Sequence, residues 1–197
     1  MRSMNVFKSK VYYQSKKGFT IVELLIVIVV IAILAAISIV AYDGIQERSK
    51  NAQTVSALSA WIKGLKLYKV DNGKWPNGWV CLGDKYPYGE DGTATSGAQC
   101  RQDANSYTVN AGFNSTMSAY MGSFPNPAHV TASNGSSSWW RGLMYAYGGG
   151  DGTQVYIIAV YAGVLSACPV VEGYSTGAGV TGGNTRCTYI IGSISDS

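Results

Sequence analysis

The hydrophobic pattern of the chain begins with an uninterrupted apolar run and continues with an amphipathic one. From Leu24 to Val40 there are 17 residues, and none is more polar than Ser38. Apolar residues then recur every three or four positions, the period of a helix with one buried face. They are Ile45, Ala52, Val55, Leu58, Ile62, Leu65 and Tyr68. Because no proline occurs between Phe19 and Val70, we predict one continuous helix of about 50 residues.

The residues after this helix predict a head built on a sheet. Asp71-Asn72-Gly73 is a helix stop, and Pro76 follows just beyond it. Glycines are scattered through residues 77–104, which we expect to form an irregular loop. Runs of β-branched and aromatic residues predict four strands, and a fifth segment predicts a short helix. The strands are Ser106–Phe113, Leu143–Tyr147, Gln154–Leu165 and Arg186–Ile194, and the short helix is Ser115–Met121.

Gln154–Leu165 has apolar residues on both faces, which is typical of a central strand. The glycine-rich segment Gly148–Gly152 predicts a turn that joins this strand to Leu143–Tyr147 as a hairpin. The whole pattern indicates an α+β fold, in which one long N-terminal helix packs on a small antiparallel β-sheet. We divide the chain into residues 1–18, an apolar half-helix 19–42, an amphipathic half-helix 43–70 and a head 71–197.

The charge distribution predicts how the apolar segment is oriented. The formal net charge is +4, but residues 1–18 contain five Lys or Arg and no acid, while the remainder contains ten basic and eleven acidic residues. Positive flanks stay in the cytoplasm, so we expect everything after Tyr42 to lie outside. A cleaved secretory signal is the alternative, but its apolar core is only about 7–15 residues long. The nearest weak cleavage site, Ala36-Ile37-Ser38, lies inside the run, so we expect a retained membrane span.

A single carboxylate, Glu23, lies at the start of the apolar run. An ionisable group in a membrane-spanning helix is costly and needs a partner or a purpose. The simplest hypothesis is a capping box, because Thr20-Ile21-Val22-Glu23 fits the S/T-x-x-E pattern just before an apolar run. On that hypothesis, Glu23 only starts the helix.

The second hypothesis comes from a resemblance. Gly18-Phe19-Thr20-Ile21-Val22-Glu23, after Lys16-Lys17 and before a full-length apolar span, resembles the class III signal of type IV prepilins and related pseudopilins. The resemblance implies a pilin fold, a leader of residues 1–18, cleavage between Gly18 and Phe19 by a prepilin peptidase, and N-methylation of Phe19. The segment that ends in Gly73-Lys74-Trp75-Pro76 is similar to the end of the first helix in many pilins and pseudopilins.

The resemblance also implies that Glu23 pairs with the N-terminal amine of a neighbouring subunit during filament assembly. Cleavage creates a free α-amino group, which is cationic near neutral pH. An ammonium–carboxylate pair between staggered helices would set their register, the role in which buried ion pairs are best attested. We therefore expect Thr20 and Glu23 to act in assembly. Many family members have a proline where this chain has Val40, so local melting of the helix in a filament is not expected from that feature, although Gly44 could allow it.

Four cysteines in an extracytoplasmic head are candidates for disulfide bonds. Three connectivities are possible, and we expect Cys81–Cys100 and Cys168–Cys187, because each pair encloses 18 residues and brackets a glycine-rich segment. The second pair would enclose Pro169–Arg186, which resembles the disulfide-bounded C-terminal loop of many pilins.

The chain carries no motif for catalysis or for a cofactor. Its one histidine, His129, lies in a proline-containing loop without a second histidine or a carboxylate cluster, and Asp151 among glycines is explained by a turn. The many aromatic residues are interleaved with few basic ones, so no nucleic-acid groove is evident. We expect no catalytic residue, metal or cofactor, and a protein that is not an enzyme.

These features together predict a structural subunit of a type IV pilus-like filament. Its expected partners are other copies in a homo-oligomeric filament, the prepilin peptidase, the pilus assembly platform and the membrane. Before assembly it would be a single-pass protein of the inner (cytoplasmic) membrane with a cytoplasmic leader, and afterwards part of an extracellular pilus serving motility, adhesion, DNA uptake or secretion. A type II secretion or competence pseudopilin is one alternative, and a membrane-anchored extracellular binding module, an adhesin, is another.

Overall fold

The computed structural model describes residues 18–86, 99–102, 106–135, 138–149, 152–174 and 177–195. The chain divides into two compact units, Met1–Tyr42 and Asp43–Ser197. The first helix, α1, runs over Ile21–Asn72 and contains 52 residues. The predicted continuous helix is therefore confirmed.

The described part of the first unit is an apolar helix. The 18 residues Ile21–Ser38 have a mean hydropathy of 3.1, and none of them is buried within the chain, so by length and composition this segment could span a membrane. Its single hydroxyl is internally satisfied, because Ser38 Oγ donates to the carbonyl oxygen of Leu34 at 2.8 Å. Such a bond to the preceding turn is the usual solution for a serine within an apolar helix.

In the second unit, the continuation of α1 buries one face in the head. Leu58, Ile62 and Leu65 are fully buried, as the period predicted. Trp61 joins them, and its indole nitrogen donates to the carbonyl oxygen of Pro125 at 2.9 Å. The prediction was wrong for Ile45, which is 64% exposed, and for Ala52, which is also exposed, since the helical period continues there but no described part of the head covers these side chains.

The head contains a nine-stranded sheet among the described residues, with one short helix. The elements are β1 (Trp79–Cys81), β2 (Gln99–Gln102), β3 (Tyr107–Thr108), α2 (Ala111–Met117), β4 (Thr131–Ser133), β5 (Trp139–Arg141), β6 (Leu143–Gly149), β7 (Gln154–Tyr161), β8 (Ala178–Thr181) and β9 (Asn184–Ser193). In spatial order the described strands run β4-β5-β2-β3-β1-β6-β7-β9-β8. Of these neighbours, β1 and β3 pair in parallel and the others pair antiparallel. The α+β class is confirmed, although the sheet is larger than predicted.

Two hydrophobic clusters lie on the two faces of the sheet. On β7, Ile157 and Ala159 belong to the cluster that contains the buried residues of α1, whereas Ile158 and Val160 belong to the second cluster. This alternation confirms the predicted central strand with two buried faces. The sheet curls so that its two ends approach each other. This is shown by a hydrogen bond between them, in which Asn184 Nδ2 at the start of β9 donates to the carbonyl oxygen of Thr131 on β4 at 2.8 Å.

The predicted hairpin is confirmed, since β6 and β7 pair antiparallel over nearly their full length. The predicted strand Ser106–Phe113 was largely wrong, because only Tyr107–Thr108 is extended. Asn110 accepts a hydrogen bond at its side chain from Phe113 N at 2.9 Å and so caps α2, which replaces the rest of that strand and begins four residues before the predicted helix.

The prediction of an irregular loop over residues 77–104 was also partly wrong. Both β1 and β2 lie within it, and each is only three or four residues long. Residues 87–98 and 103–104 of that loop lie outside the described residues. Strands this short carry too little alternation to be recognised from their own sequence, and the same holds for β4, β5 and β8.

Candidate functional site

The described chain begins with three non-helical residues, which form the junction before the apolar helix. Gly18, Phe19 and Thr20 precede the first turn of α1, and all three are exposed. The peptide bond between Gly18 and Phe19 is therefore outside the helix. A change of conformation at this bond therefore breaks no hydrogen bond within the helix.

Thr20 and Glu23 form the reciprocal hydrogen bonds of a capping box. Glu23 N donates to Thr20 Oγ1 at 3.2 Å, and Thr20 N donates to Glu23 Oε2 at 2.8 Å. The Thr20 hydroxyl also donates to the same carboxylate oxygen, at 2.8 Å. The capping hypothesis thus describes the uncut chain correctly, because orphan N–H groups at the helix start are satisfied in this way.

The capping box uses only one of the two carboxylate oxygens of Glu23. Both bonds from Thr20 end on Oε2, and within the described part of the chain Oε1 accepts none. A carboxylate has about four lone-pair sites, so Glu23 can keep its cap and still accept a cationic donor from another molecule. Capping and pairing with a neighbour are therefore compatible for this side chain.

Both disulfide bonds of the sequential pairing are present in the head. Cys81 on β1 is joined to Cys100 on β2, two strands separated in the sheet by β3. Cys168 is joined to Cys187 on β9. All four cysteines are buried. Each bridge joins two cysteines that lie 19 positions apart in the sequence.

The loop closed by the second bridge is anchored on α1 through a turn that the sequence did not point to. Ser59 Oγ donates to Glu172 Oε1 at 2.7 Å, and Lys63 Nζ lies 3.3 Å from the same oxygen. The hydrogen bond from Ser59 lowers the pKa of the Glu172 carboxyl most, and the hydrogen bond from Lys63 lowers it further. Glu172 has a left-handed backbone, with φ at 52°, which is uncommon for a non-glycine residue.

No group of three or more His, Cys, Asp or Glu side chains that could hold a metal ion occurs among the residues the structure describes. His129 is exposed, and its ring lies 5.3 Å from that of the buried Tyr86. Asp151, considered above as part of a turn, lies outside the described residues.

The N-terminal region matches a known family model. Residues 13–39 match the prokaryotic N-terminal methylation motif. This range contains Gly18, Phe19 and Glu23 as well as most of the apolar helix. The motif predicted from the sequence is therefore recovered by the family comparison.

Several curated proteins are similar over about a third of the chain. The type II secretion system core protein G of Klebsiella michiganensis is 35% identical over 63 residues, which cover 32% of this chain and 44% of the relative. The type IV major pilin protein PilE1 of Neisseria gonorrhoeae is 32% identical over 72 residues, covering 36% and 44%. The type IV wide pilus major component PilA4 of Thermus thermophilus is 35% identical over 69 residues, covering 35% and 53%.

The chain thus matches less than half the length of the first of these relatives, and about a third of its own length is involved. No solved structure shows a significant match. Residues 13–39, which contain Gly18, Phe19 and Glu23 and most of the apolar helix, are the part of the chain with a located counterpart in a known family.

Proposed function

We propose that this chain is a structural subunit of a type IV pilus-like filament and a member of the type IV pilin and prepilin family, a proposal supported by the methylation motif and the curated relatives. The observation that carries the proposal is the match of residues 13–39 to the methylation motif, together with an apolar helix behind it that buries none of its side chains within the chain. Apolar surface of this extent requires lipid or other helices as its surroundings.

Before assembly, the leader lies in the cytoplasm and the head outside. A prepilin peptidase cuts between Gly18 and Phe19, and Phe19 becomes the methylated N-terminus. The assembly platform then moves the subunit from the membrane into the filament, where the apolar helices exchange lipid contacts for contacts with one another. Small and β-branched residues in the span, such as Val29, Ala35 and Ala36, permit the close packing that drives helix association in lipid.

Glu23 is the residue that selects the register between subunits in this proposal. Cleavage frees an ammonium group at Phe19, and a neighbour shifted along the filament axis places its own Glu23 beside it. The carboxylate oxygen Oε1, which the capping box leaves without a bond from Thr20, accepts this ammonium. In surroundings of low dielectric constant, the attraction between ammonium and carboxylate offsets the free energy of removing both from water only when the two groups are in contact. They are in contact only in the correct register.

A secretion pseudopilin is the second candidate function, and one observation favours it. The type II secretion system core protein G of Klebsiella michiganensis is among the matched relatives, at 35% identity over the shared segment. It would use the same cleavage site and the same Glu23, so both candidates make the same prediction for the junction. Visible surface pili in the host, as opposed to filaments confined to the cell envelope, distinguish a pilus from a pseudopilus.

Replacing Glu23 by glutamine separates assembly from capping. Glutamine also serves in a capping box, so Glu23→Gln keeps the start of the helix but removes the charge that attracts a neighbour's ammonium. We expect Glu23→Gln and Glu23→Ala to be cleaved and inserted in the membrane yet to form no filaments, by electron microscopy of sheared host cells. Glu47→Gln, a charge removal further along the same helix, is the control and is expected to assemble. Normal filaments from Glu23→Gln would reduce Glu23 to a helix cap.

A further inference from the structure

An open cavity of about 330 Å³ lies in the head, between the last turns of α1, the start of β1 and one side of α2. Three of its walls are the aromatic residues Tyr68, Trp79 and Phe113. Its size is at the lower end of ligand pockets, which hold about 300–1,000 Å³. It therefore suits a single small ring.

Trp79 gives this cavity a fixed aromatic surface. Its indole nitrogen donates to the carbonyl oxygen of Tyr147 at 2.5 Å, and its ring contacts that of Tyr107 at 5.4 Å between centroids. The side chain is nevertheless 44% exposed. A tryptophan that is already immobilised by a hydrogen bond and a ring contact loses little conformational entropy when a ligand stacks on its free surface.

The polar groups of the cavity are amides and a hydroxyl. Asn110 uses Oδ1 to cap α2 by accepting from Phe113 N, which leaves its Nδ2 as a donor. The exposed side-chain amide of Asn77 has no hydrogen bond to any described residue, so it offers both a donor and an acceptor. Thr116 donates its hydroxyl hydrogen to the carbonyl oxygen of Gly112 at 3.1 Å and keeps its lone pairs.

No Asp, Glu, Lys or Arg is among the described residues that line the cavity. A charged ligand would lose its hydration there without gaining a counter-charge. A neutral ring with one apolar face and a rim of hydroxyl groups matches the walls. Its C–H groups would stack on the electron-rich face of an aromatic ring, and its hydroxyls would pair with the amides.

From these observations we propose that the cavity at Trp79 is a binding site for a neutral hexose or N-acetylhexosamine residue of a glycan. Trp79 supplies the stacking surface, Asn77 and Asn110 bind the ring hydroxyls or an acetamido group, and Tyr68 and Phe113 complete the aromatic part of the wall. The site is independent of the span and of Glu23, so its test does not depend on filament formation.

The test uses the full chain in a zwitterionic detergent without a sugar head group. The probes are glucose, galactose, N-acetylglucosamine and N-acetylgalactosamine, each followed by saturation-transfer NMR, with sialic acid and a proline-rich peptide as competing ligand classes. We expect at least one neutral sugar to bind with a Kd of about 1 mM, and Trp79→Ala and Asn77→Ala each to weaken that binding by about tenfold or more. Trp140→Ala, at a half-buried tryptophan on β5, is the matched control and is expected to bind normally.

Three results would overturn the site: no signal from any of the four sugars at about 20 mM, binding that survives both pocket substitutions, or binding of sialic acid or the peptide alone. If Trp79→Ala does not fold, Asn77→Ala decides, because that side chain is exposed and makes no bond that folding requires.

Discussion

Two exposed carboxylates in this protein each accept a hydrogen bond from a hydroxyl group, one just before the start of α1 and one on it. Glu23 accepts hydrogen bonds from Thr20 on one oxygen, and Glu172 accepts one from Ser59 on Oε1. In both cases the hydroxyl fixes the orientation of the carboxylate and leaves room for a cation. At Glu172 that cation is Lys63. At Glu23 we propose that it is the N-terminal ammonium of another subunit.

The contact of Glu172 with α1 predicts a pH dependence. Its pKa is lowered in the folded chain, first by Ser59 and then by Lys63. A carboxyl whose pKa is lower in the folded state contributes stability above its unfolded pKa of about 4.3, and that contribution is lost as the pH falls through the folded value. Between pH 6 and pH 3, the Tm of the native chain should therefore fall further than that of Glu172→Gln, and at still lower pH the two curves should converge.

Circular dichroism of the full chain in detergent measures these curves, with Glu47→Gln as a control that removes another carboxylate from the same unit. If the Tm of the native chain and that of Glu172→Gln fall by the same amount over this range, the charge of Glu172 does not contribute to stability. Lys66 also faces Glu172 and lies over the ring of Tyr174, so it is expected to reinforce the same dependence.

At the level of elements, the exit from α1 is fixed by a close contact between its last turn, an indole ring and the final strand. Trp75 is buried, and Lys69 Nζ lies 5.1 Å from its ring centroid. The ring packs directly over Gly192 on β9. This contact gives a structural reason for the aromatic residue in the Gly73-Lys74-Trp75-Pro76 segment, which joins the helix to the sheet.

A side chain at Gly192 should disrupt that packing. A Cβ atom there would lie 2.5 Å from Cζ2 of Trp75, and a buried indole ring has little freedom to move. We expect Gly192→Ala to destabilise the head by about 1–3 kcal/mol, the usual cost of overpacking, as measured by denaturant titration of the full chain in detergent. Gly122→Ala, where a Cβ would meet nothing within 4 Å, is the control, and equal stability of the two variants would contradict the packing argument.

The elements that could be predicted from the sequence were those with long, regular patterns. The helix, its end at Gly73 and the hairpin of β6 and β7 follow from local periods and turn residues. The short strands do not, because β1, β4 and β5 contain three residues each and form only through pairing with distant segments. Asn110 shows the same limit on a smaller scale, since its capping bond to Phe113 outweighed the strand propensity of the residues around it.

At the level of the whole molecule, the junction could be predicted and the head's contacts could not. Gly18, Phe19 and Glu23 lie within six consecutive residues, so their arrangement is set by local chain geometry. The turn at Glu172 touches Ser59, which is 113 residues away, and the cavity at Trp79 combines residues from α1, β1 and α2. Contacts between such distant residues leave no local pattern in a single sequence.

The proposed function requires that the chain is cut after Gly18 and that the cut chain becomes a filament subunit. Mass spectrometry of the N-terminus of the protein from its native host detects the cut itself. We expect a mature chain that begins at Phe19 and carries one methyl group on its α-amino nitrogen. An intact N-terminus at Met1, or a chain that begins after a secretory cleavage near Ser38, would contradict it.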